Sequence, residues 1–469
     1  MRGAVRLRAP LDGRQALLGA IGSGTLLNAL NSSMIAVALV SLQRDFGLRF
    51  DTVSWVVSVF YLASASGQPV MGRLSDVLGP RRVFRVGLVI SAAAATAAPF
   101  APDFGWLLGL RALQAIGTSA LFPSGVAIVR ATIHDRQARA LGVLALFSSM
   151  AAALGPTLGA LLVSAGGWQA IFWANLPIVA LSSALAARFL PPDPPVPPAR
   201  PLAVVRRVDP LGVALFVAAL VALLWFLLSL GRGADYAALA IGLGALAAFV
   251  AAELRAREPF VDLRELVANR ALSTVYVRYV LVNVVFYCVF LGFPSYLEES
   301  RDLSLKAAGL VMLAVTGVGI VTVPAAGRLI DRRGPTPALV AGFAIMTAGS
   351  ALMLTLGDGS PVWWIVVVLA ALGASSGFSN LGLQATLVRA SRPDAIGTAS
   401  GLFMTARYLG SILAACVLGI AFGDSIDRDA QHRIALLMTV LSGIVLVSAL
   451  PLRLAPRGRA PRPPAGGAR

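Results

Sequence analysis

The chain has 469 residues, of which 57% are hydrophobic and 13% are charged, and its mean hydropathy is +0.80. Soluble domains carry about 25% charged residues, so this composition excludes an ordinary soluble fold. A membrane-spanning helix needs about 20 apolar residues, and this length therefore accommodates about a dozen spans or more.

The net charge of +17 comes from 38 Arg and one Lys set against 22 acidic residues. In a soluble protein such a balance would favour a nucleic-acid partner. In a membrane protein it is what the positive-inside rule produces, because cytoplasmic loops retain Arg and Lys. We therefore expect the lipid bilayer as a partner and no nucleic acid.

Apolar runs bounded by charged residues, proline or glycine predict fourteen transmembrane helices. In chain order they are expected at residues 16–41, 52–71, 83–100, 104–129, 140–163, 169–187, 210–230, 236–252, 273–297, 307–326, 337–356, 361–388, 396–421 and 434–450. The termini and the loops after even-numbered helices hold 28 Arg, whereas the other loops hold 7 basic residues. This asymmetry predicts that both termini are cytoplasmic.

Two linkers divide the predicted helices into groups of six, two and six. Residues 191–201 contain seven prolines in eleven positions, which indicates a stiff polyproline spacer. Residues 253–270 alternate charged and apolar residues at helical spacing, which predicts an amphipathic helix on the inner membrane surface. The predicted regions are an N-terminal six-helix bundle at 1–190, the linkers with two accessory helices at 191–270, and a C-terminal bundle with a cytoplasmic tail at 271–469.

A loop motif occurs twice, as GRLSDVLGPRR at Gly72–Arg82 and as GRLIDRRGPTP at Gly327–Pro337. Each copy follows the second helix of its six-helix group. Internal repetition at corresponding positions is typical of transporters whose halves rock about a central site.

The first copy resembles the loop signature of the major facilitator superfamily, although Pro80 stands where that family usually has a basic residue. The resemblance implies an all-α polytopic membrane protein with two six-helix bundles. Gly72 would let two helices approach closely, and Gly79 would permit a tight turn next to Arg81. Asp76 would accept hydrogen bonds from a neighbouring helix N-terminus and pair with a basic residue such as Arg130, which makes this loop a gate.

The second copy places Gly327 and Asp331 at the matching positions. We expect Asp331 to matter less for gating than Asp76, because Thr336 and Pro337 leave it fewer basic partners. An alternative interpretation of both copies as merely charged loops is weakened by the repetition.

The fifth predicted helix contains ALGPTLGA, in which Gly155, Pro156 and Gly159 resemble a signature associated with antiporters of this superfamily. Gly-Pro would loosen the helix, and Gly159 would offer a smooth surface to another helix. The alternative is ordinary glycine and proline content, since both residues are common in membrane helices.

The order of six, two and six helices, together with GGWQAIFWANLPI at Gly166–Ile178, resembles the fourteen-helix drug:proton antiporter branch. In that branch the first helix carries an Asp, whereas this chain has Asn31, which cannot titrate. All 22 acidic residues fall in predicted loops or at helix ends. The remaining candidates for proton coupling are Asp103 and Glu298, at the outer ends of the fourth and ninth predicted helices.

Two arginines lie inside predicted helices at a depth that needs an explanation. Arg111 and Gln114, in LRALQAIG, are similar to the family's Arg-x-x-Gln pattern. An Arg at this depth costs about 3 kcal/mol on insertion scales, so we expect Arg111 to face a cavity rather than lipid. Arg407 is expected near the middle of the membrane and matches an Arg of the family.

Polar residues at four-residue steps form a stripe in the ninth predicted helix, at Tyr279, Asn283 and Tyr287, and another in the twelfth, around Asn380. Such stripes face either a cavity or a neighbouring helix, because lipid would not solvate them. The predicted substrate-binding residues are Asn31, Arg111, Gln114, Asn283, Tyr287, Asn380 and Arg407.

The sequence predicts no enzyme, cofactor or metal site, since the two histidines lie in different loops and no metal-spaced cluster occurs. We expect a secondary active transporter of a bacterial plasma membrane that exports small amphipathic molecules by alternating access, with proton coupling left open. One alternative is an uncoupled or anion-exchanging permease, which buried arginines without buried acids would favour. Another is a transport-inactive sensor or scaffold.

Overall fold

The computed structural model describes residues 11–193, 207–230, 233–299, 301, 303, 305–357, 359–422 and 428–450. All regular elements in these residues are helical. The predicted polyproline spacer falls mostly on residues 194–206, which lie outside the described residues.

Nine α-helices make up the N-terminal half of the described chain. They are α1 (Leu11–Phe46), α2 (Phe50–Val53), α3 (Trp55–Leu78), α4 (Pro80–Ala97), α5 (Phe104–Ser119), α6 (Leu121–Thr132), α7 (Gln137–Gly166), α8 (Gln169–Trp173) and α9 (Asn175–Phe189). Contacts between α1 and α7, α3 and α5, and α4 and α5 hold them together as one bundle.

The middle region contributes α10 (Pro210–Ser229), α11 (Tyr236–Glu253) and the short α12 (Leu263–Ala268). The C-terminal half consists of α13 (Arg270–Glu299), α14 (Leu305–Gly317), α15 (Gly319–Arg333), α16 (Pro335–Leu352), α17 (Val362–Ala390), α18 (Ile396–Phe422) and α19 (Arg428–Ala449). Here α16 packs on α17 and α19, and α13 packs on α18, which forms the second bundle.

Aspartate caps and prolines set several of the helix starts. The capping carboxylates, each accepting a backbone N–H of its helix, are Asp103, Asp209, Asp235 and Asp262. Proline is the first residue of α4, α10 and α16, where its missing N–H costs no helical hydrogen bond.

Eleven helical stretches in the described residues are long and apolar enough to cross a membrane, and α1, which bends by 61°, makes twelve if it is one span. The predicted number of fourteen is not reached by this measure. The two predicted spans that are missing from it correspond to α3 and α7, which contain 24 and 30 residues. Polar residues such as Ser64, Ser66 and Gln68 lower the hydropathy of α3.

The predicted amphipathic helix over residues 253–270 is wrong in its extent. Only α12, of six residues, is helical between the end of α11 at Glu253 and the start of α13 at Arg270. Pro259 lacks an N–H and disfavours a helical conformation of Glu258 before it. The helix begins again only where Asp262 accepts the N–H of Glu265 at 3.0 Å.

Helix α10 lies across the seam between the two bundles, packed against α3 of the first and α18 of the second. The rings of Trp55 and Trp225 stack with centroids 4.8 Å apart. Leu224 is buried in a cluster with Tyr408 and Ile412. The accessory pair α10 and α11 is therefore anchored to both bundles through α10.

Candidate functional site

A polar cluster is buried inside the N-terminal bundle, where three of the predicted site residues meet. Arg111 Nη1 donates to Gln114 Oε1 at 2.7 Å, and Gln114 Nε2 donates to Asn31 Oδ1 at 3.2 Å. All three side chains have no exposed surface. The expectation that Arg111 faces a cavity is therefore not met, because its side chain is enclosed by helices of its own bundle.

Aromatic rings complete the environment of Arg111. The guanidinium carbon lies 4.4 Å from the centre of the Phe60 ring and 5.7 Å from that of Phe172. Aromatic faces attract a cation, and the polar partners above satisfy part of its hydrogen-bonding capacity. In the described residues the cation is thus held by neutral groups, so the cluster carries one positive charge without a carboxylate partner.

A second polar cluster joins the two bundles, and we call it the central cluster. It comprises Asn28 of α1, Tyr61 of α3, Thr118 of α5, Tyr287 of α13, and Arg407 and Tyr408 of α18. The Tyr408 hydroxyl donates to Asn28 Oδ1 at 2.8 Å, and Asn28 Nδ2 donates to Thr118 Oγ1 at 3.2 Å. The rings of Tyr61 and Tyr408 lie 5.8 Å apart.

The other end of the central cluster belongs to the C-terminal bundle. Arg407 Nε donates to the Tyr287 hydroxyl at 3.1 Å. Asn28, Tyr61, Tyr287 and Arg407 are only half-buried, unlike the enclosed cluster around Arg111. Polar side chains that keep some exposure between two bundles are suited to contacting a small molecule there.

The remaining stripe residues are placed differently. Asn283 donates to the carbonyl of Tyr279 at 2.8 Å and packs so closely on α18 that a Cβ at Gly410 would lie 2.6 Å from its Cβ. The Tyr279 ring stacks on Phe403 at 3.6 Å between centroids. Of the two alternatives for this stripe, the neighbouring helix is correct for Tyr279 and Asn283.

Asn380 is half-buried and donates to Ser376 Oγ at 2.8 Å on its own helix. Ser376 and Phe286 line the same small cavity between α17 and α13. Asn380 therefore lies on the side of α17 that turns toward α13, with no direct bond to the central cluster among the described contacts.

The first loop motif closes one end of the molecule, and its carboxylate caps a helix of the opposite bundle. Asp76 accepts hydrogen bonds from the backbone N–H groups of Gly397 and Thr398 and from Thr398 Oγ1, each at 2.7 Å. These groups form the first turn of α18. A carboxylate is stabilised there because it satisfies N–H groups that have no partner within the helix.

Glycines make this contact possible. A Cβ at Gly72 would lie 2.1 Å from the carbonyl oxygen of Gly397, and one at Gly401 would lie 2.3 Å from that of Gln68. Thr405 Oγ1 adds a hydrogen bond to the carbonyl of Ala65 at 2.6 Å. The backbones of α3 and α18 therefore touch over several turns.

The predicted pairing of Asp76 with Arg130 is wrong. Arg130 donates instead to the carbonyl oxygens of Ser391 at 2.9 Å and Arg392 at 3.4 Å, at the end of α17. Carbonyls at a helix C-terminus attract a cation just as its N-terminus attracts a carboxylate. Arg130 still connects the two bundles, but through a different helix end.

The turn predicted at the end of the first loop motif is present. Gly79 has φ +100°, a conformation that side chains oppose, and it separates α3 from α4. The backbone N–H groups of Arg81 and Arg82 donate to the carboxylate of Asp193, at 2.8 and 3.0 Å. Arg81 thus stabilises the start of α4, and Asp193 is a cap that the sequence analysis missed.

The second motif copy makes the corresponding contact, with the roles of the two bundles exchanged. Asp331 Oδ1 accepts the N–H of Ala138 at 3.2 Å, and Oδ2 lies 3.2 Å from Arg139 Nε. A Cβ at Gly327 would lie 3.3 Å from the Arg139 side chain. The expectation that Asp331 has fewer basic partners than Asp76 is not met among the described ion pairs, because Arg139 of the opposite bundle pairs with Asp331.

The glycines of the fifth predicted helix bring α7 onto α1. A Cβ at Gly155 would lie 1.8 Å from Ser33 Oγ, and one at Gly159 would lie 2.9 Å from the carbonyl oxygen of Met34. Pro156 lies in the same turn of α7, and its side chain is outside the described residues. This segment therefore packs within the N-terminal bundle, one turn from Asn31.

The sequence profile of the Major Facilitator Superfamily matches residues 21–415. The chain belongs to the Major Facilitator Superfamily. It is 44% identical over 444 residues to YwoD, an uncharacterized MFS-type transporter of Bacillus subtilis, with 93% of this chain and 96% of that protein aligned. It is 28% identical to the tetracenomycin C resistance and export protein of Streptomyces glaucescens, with 87% and 76% aligned.

A solved structure of the same superfamily shares the fold. The human organic anion transporter MFSD10 superposes with a TM-score of 0.65 at 18% identity, over 94% of this chain and 99% of that one. This chain is accordingly a multi-pass membrane transporter of the superfamily, built from two helical bundles. Superfamily members are generally not enzymes.

The two candidates for proton coupling in this superfamily member differ in what the structure describes. Asp103 is exposed and caps α5 by accepting the N–H of Trp106 at 2.9 Å. Glu298 lies near the end of α13, and its side chain is outside the described residues. Among the described residues no Asp or Glu belongs to the central cluster, and no metal-binding group of three ligands occurs.

Sequence reasoning missed four members of the central cluster: Asn28, Tyr61, Thr118 and Tyr408. Helical spacing offered a signal for two of them, since Asn28 lies one turn before Asn31 and Thr118 one turn after Gln114. Tyr408 directly follows Arg407, but its partner is 380 positions away in the sequence.

Proposed function

We propose that this Major Facilitator Superfamily transporter exports small amphipathic molecules, such as drugs or secondary metabolites, by alternating access. The observation that carries the proposal is the central cluster, a half-buried polar site to which both bundles contribute. Rocking of the bundles would separate Tyr408 from Asn28 and change the site's exposure to each side. The export and resistance functions named for several relatives support the outward direction.

The contacts of Asp76, Arg130 and Asp331 lie together at one end of the molecule, which the arginine distribution assigns to the cytoplasm. The conformation described above would then be closed to the cytoplasm. Substrate would reach the central cluster from the cytoplasm only after these contacts break, and it would leave toward the opposite side when they form again.

A substrate panel in proteoliposomes tests the proposal. We expect Arg407→Ala to reduce the flux of transported compounds by about tenfold or more, because an interaction with a charged group contributes about 1.5–3 kcal/mol. The matched control is Arg433→Ala on α19, whose exposed side chain bonds the carbonyl of Ala421. Equal loss of flux in both variants would contradict the assigned site. Absence of flux of any compound in the wild type would favour the sensor or scaffold alternative.

Proton coupling is proposed to be weak, because Asn31 replaces the branch's titratable residue and the central cluster brings no acid in the described residues. Asn31→Asp places a carboxylate beside Gln114 and Arg111, so we expect flux to become more dependent on external pH. Glu298→Gln and Asp103→Asn test the two remaining candidates. Steep wild-type coupling that survives both substitutions would show that another group carries the proton.

An anion-exchanging or uncoupled permease is the second candidate function. Arg111 and Arg407 support it, because the partners described for them, Gln114 and Tyr287, are neutral. Net positive charge beside the central cluster would favour anionic substrates. Flux of anions that is unchanged when a pH gradient is collapsed would favour this function over proton-coupled export.

The topology is also proposed: fourteen spans in the drug:proton antiporter arrangement, region boundaries at residues 190 and 270, and both termini in the cytoplasm of a bacterial cell. Single cysteines at Pro197 and Leu263 should then react only from the cytoplasmic side, and one at Asp235 only from outside. Reaction at positions 197 and 235 from the same side would remove the span between them.

A further inference from the structure

Helices α3 and α18 touch through their backbones next to the first loop motif. This contact continues to Thr405, whose hydroxyl donates to the carbonyl of Ala65 at 2.6 Å. One turn farther along the seam, the rings of Tyr61 and Tyr408 lie 5.8 Å apart at their centres. Aromatic rings rather than backbone atoms thus separate the two helices there, so α3 and α18 diverge toward the end opposite Asp76.

Helix α10 occupies the space between the diverging helices. The ring of Trp225 stacks on that of Trp55 at the start of α3, with the ring centres 4.8 Å apart. On the other side, the Cys416 thiol of α18 donates to the carbonyl of Leu227 at 3.4 Å. Residues at this end of α3 and of α18 therefore find partners on α10, which lies as a wedge between the two bundles.

The side chain of Leu224 lies inside this wedge and is 1% exposed. It belongs to a buried apolar cluster whose other members come from both bundles: Leu62, Ala65, Tyr408 and Ile412. Tyr61 packs against the same cluster. Because Tyr61 and Tyr408 are also members of the central cluster, Leu224 lies directly behind two aromatic residues of the proposed substrate site.

The opposite side of α10 faces the bilayer. The helix contains no charged residue, and 17% of the stretch Pro210–Leu227 is buried within the chain. A helix side that is apolar and unburied in a membrane protein contacts lipid acyl chains. Helix α10 therefore has lipid on one side and two residues of the central cluster on the other.

We propose that α10 is a lateral seal, which keeps lipid acyl chains out of the central cluster where α3 and α18 diverge. Bundles that rock about a central site close at one end and open at the other. The Asp76 contacts close one end, so protein or lipid has to fill the gap at the other. Lipid would solvate neither Arg407 nor the tyrosine hydroxyls. Leu224 fills the gap with an apolar side chain and leaves these polar groups to the substrate and water.

Fluorine NMR of the full-length chain in nanodiscs tests the seal without a substrate. A trifluoroethylthio label at Leu62→Cys, in a background with Cys288→Ser and Cys416→Ser, reports on the position next to Leu224. The hydroxyl at position 416 can still donate to Leu227. Phosphatidylcholine with a nitroxide on its acyl chain broadens the signal of any label that lipid reaches. We expect a sharp signal at position 62 and a broad one at the reference label Leu246→Cys, since Leu246 is 40% exposed on α11.

Leu224→Ala should broaden the signal at position 62 to the width of the reference, because the shortened side chain leaves a gap that acyl chains can enter. Trp225→Ala should broaden it less, and Leu224→Met, which conserves volume, should keep it sharp. The matched control is Leu223→Ala, because Leu223 packs on α11, 2.8 Å from where a Cβ of Gly242 would lie. The proposal would be overturned by a signal that is broad before any substitution in α10, sharp in both Leu224→Ala and Trp225→Ala, or equally broad in Leu223→Ala and Leu224→Ala.

The effect on transport rests on the proposed function, whereas the exclusion of lipid does not. Acyl chains that reach the central cluster would compete with the substrate, so Leu224→Ala should lower the flux of transported compounds more than Leu223→Ala does. Broadening at position 62 with equal flux in both variants would retain the seal and refute its effect on transport. Absence of flux under all conditions, with a signal that only Leu224→Ala and Trp225→Ala broaden, would refute the proposed function alone.

Discussion

The two copies of the loop motif make equivalent contacts between the bundles, but through different interactions. In both, an aspartate at the end of one helix bonds the first turn of a helix in the opposite bundle, α18 for Asp76 and α7 for Asp331. Asp76 makes three short bonds to backbone and hydroxyl donors. Asp331 makes one longer backbone bond and an ion pair with Arg139.

The comparison teaches that the motif's own basic residues do not decide its partners. Arg81 and Arg82 follow Asp76 in sequence, yet their N–H groups bond Asp193. Arg139, which no motif position predicts, pairs with Asp331. The partners of each carboxylate can therefore be predicted only when the helices that it contacts in the opposite bundle are known.

The largest expected effect comes from Gly72, where α3 and α18 touch. Gly72→Ala would place a Cβ 2.1 Å from the carbonyl oxygen of Gly397, so the helices must separate and Asp76 must lose its bonds. We expect flux to fall by more than about tenfold, since several hydrogen bonds of about 1 kcal/mol each are lost. Gly109→Ala is the control, because nothing lies within 4 Å of a Cβ there. Normal flux in Gly72→Ala would refute the close contact.

The carboxylates themselves should differ in importance. Asp76→Asn removes the charge at the start of α18 and should lower flux by about tenfold, because charge-assisted bonds contribute about 1.5–3 kcal/mol. Asp331→Asn should lower flux by about threefold, since its partly exposed ion pair contributes at most about 1 kcal/mol. Initial rates in proteoliposomes with equal amounts of protein measure both. A larger loss of flux in Asp331→Asn than in Asp76→Asn would contradict this order of importance.

Ionic strength should distinguish the Asp331 contact from the Asp76 contact, with a smaller effect on flux than the substitutions of the two aspartates. The side chain of Arg139 is 35% exposed and that of Asp331 is 12% exposed, and partly exposed ion pairs are screened at high ionic strength. Arg139→Gln should therefore lower flux by about twofold at low ionic strength, and this difference from the wild type should disappear at high ionic strength. The same salt series should leave the effect of Asp76→Asn unchanged. A salt-independent Arg139→Gln variant would show that the ion pair does not contribute.

The sequence predicted this fold where the signal was local. Apolar runs located the helices, and the repeated motif identified Gly72, Asp76 and Asp331 as points of helix contact. The extent of α12 was overestimated because charge alternation outweighed Pro259 in that prediction. Only a complete search for helix breakers would have corrected it.

Contacts between bundles could not be predicted in the same way. Periodicity indicates which face of α1 or α18 is polar, but not that Tyr408 meets Asn28 across the chain. It also left open whether Asn283 faces a cavity, which only the packing of α13 on Gly410 decides. The position of Arg111 shows a third limit, because an arginine can be satisfied within its own bundle by Gln114 and Phe60.

The distance between the two bundles at the Asp76 end tests the central claim most directly. Spin labels at cysteines replacing Arg82 and Arg389, in a background with Cys288→Ser and Cys416→Ser, report this distance by pulsed electron resonance in lipid nanodiscs. We predict a dominant short-distance population in the otherwise unmodified background and a substantial longer-distance population after Asp76→Asn, with a smaller one after Asp331→Asn. Identical distance distributions in all three would contradict the account.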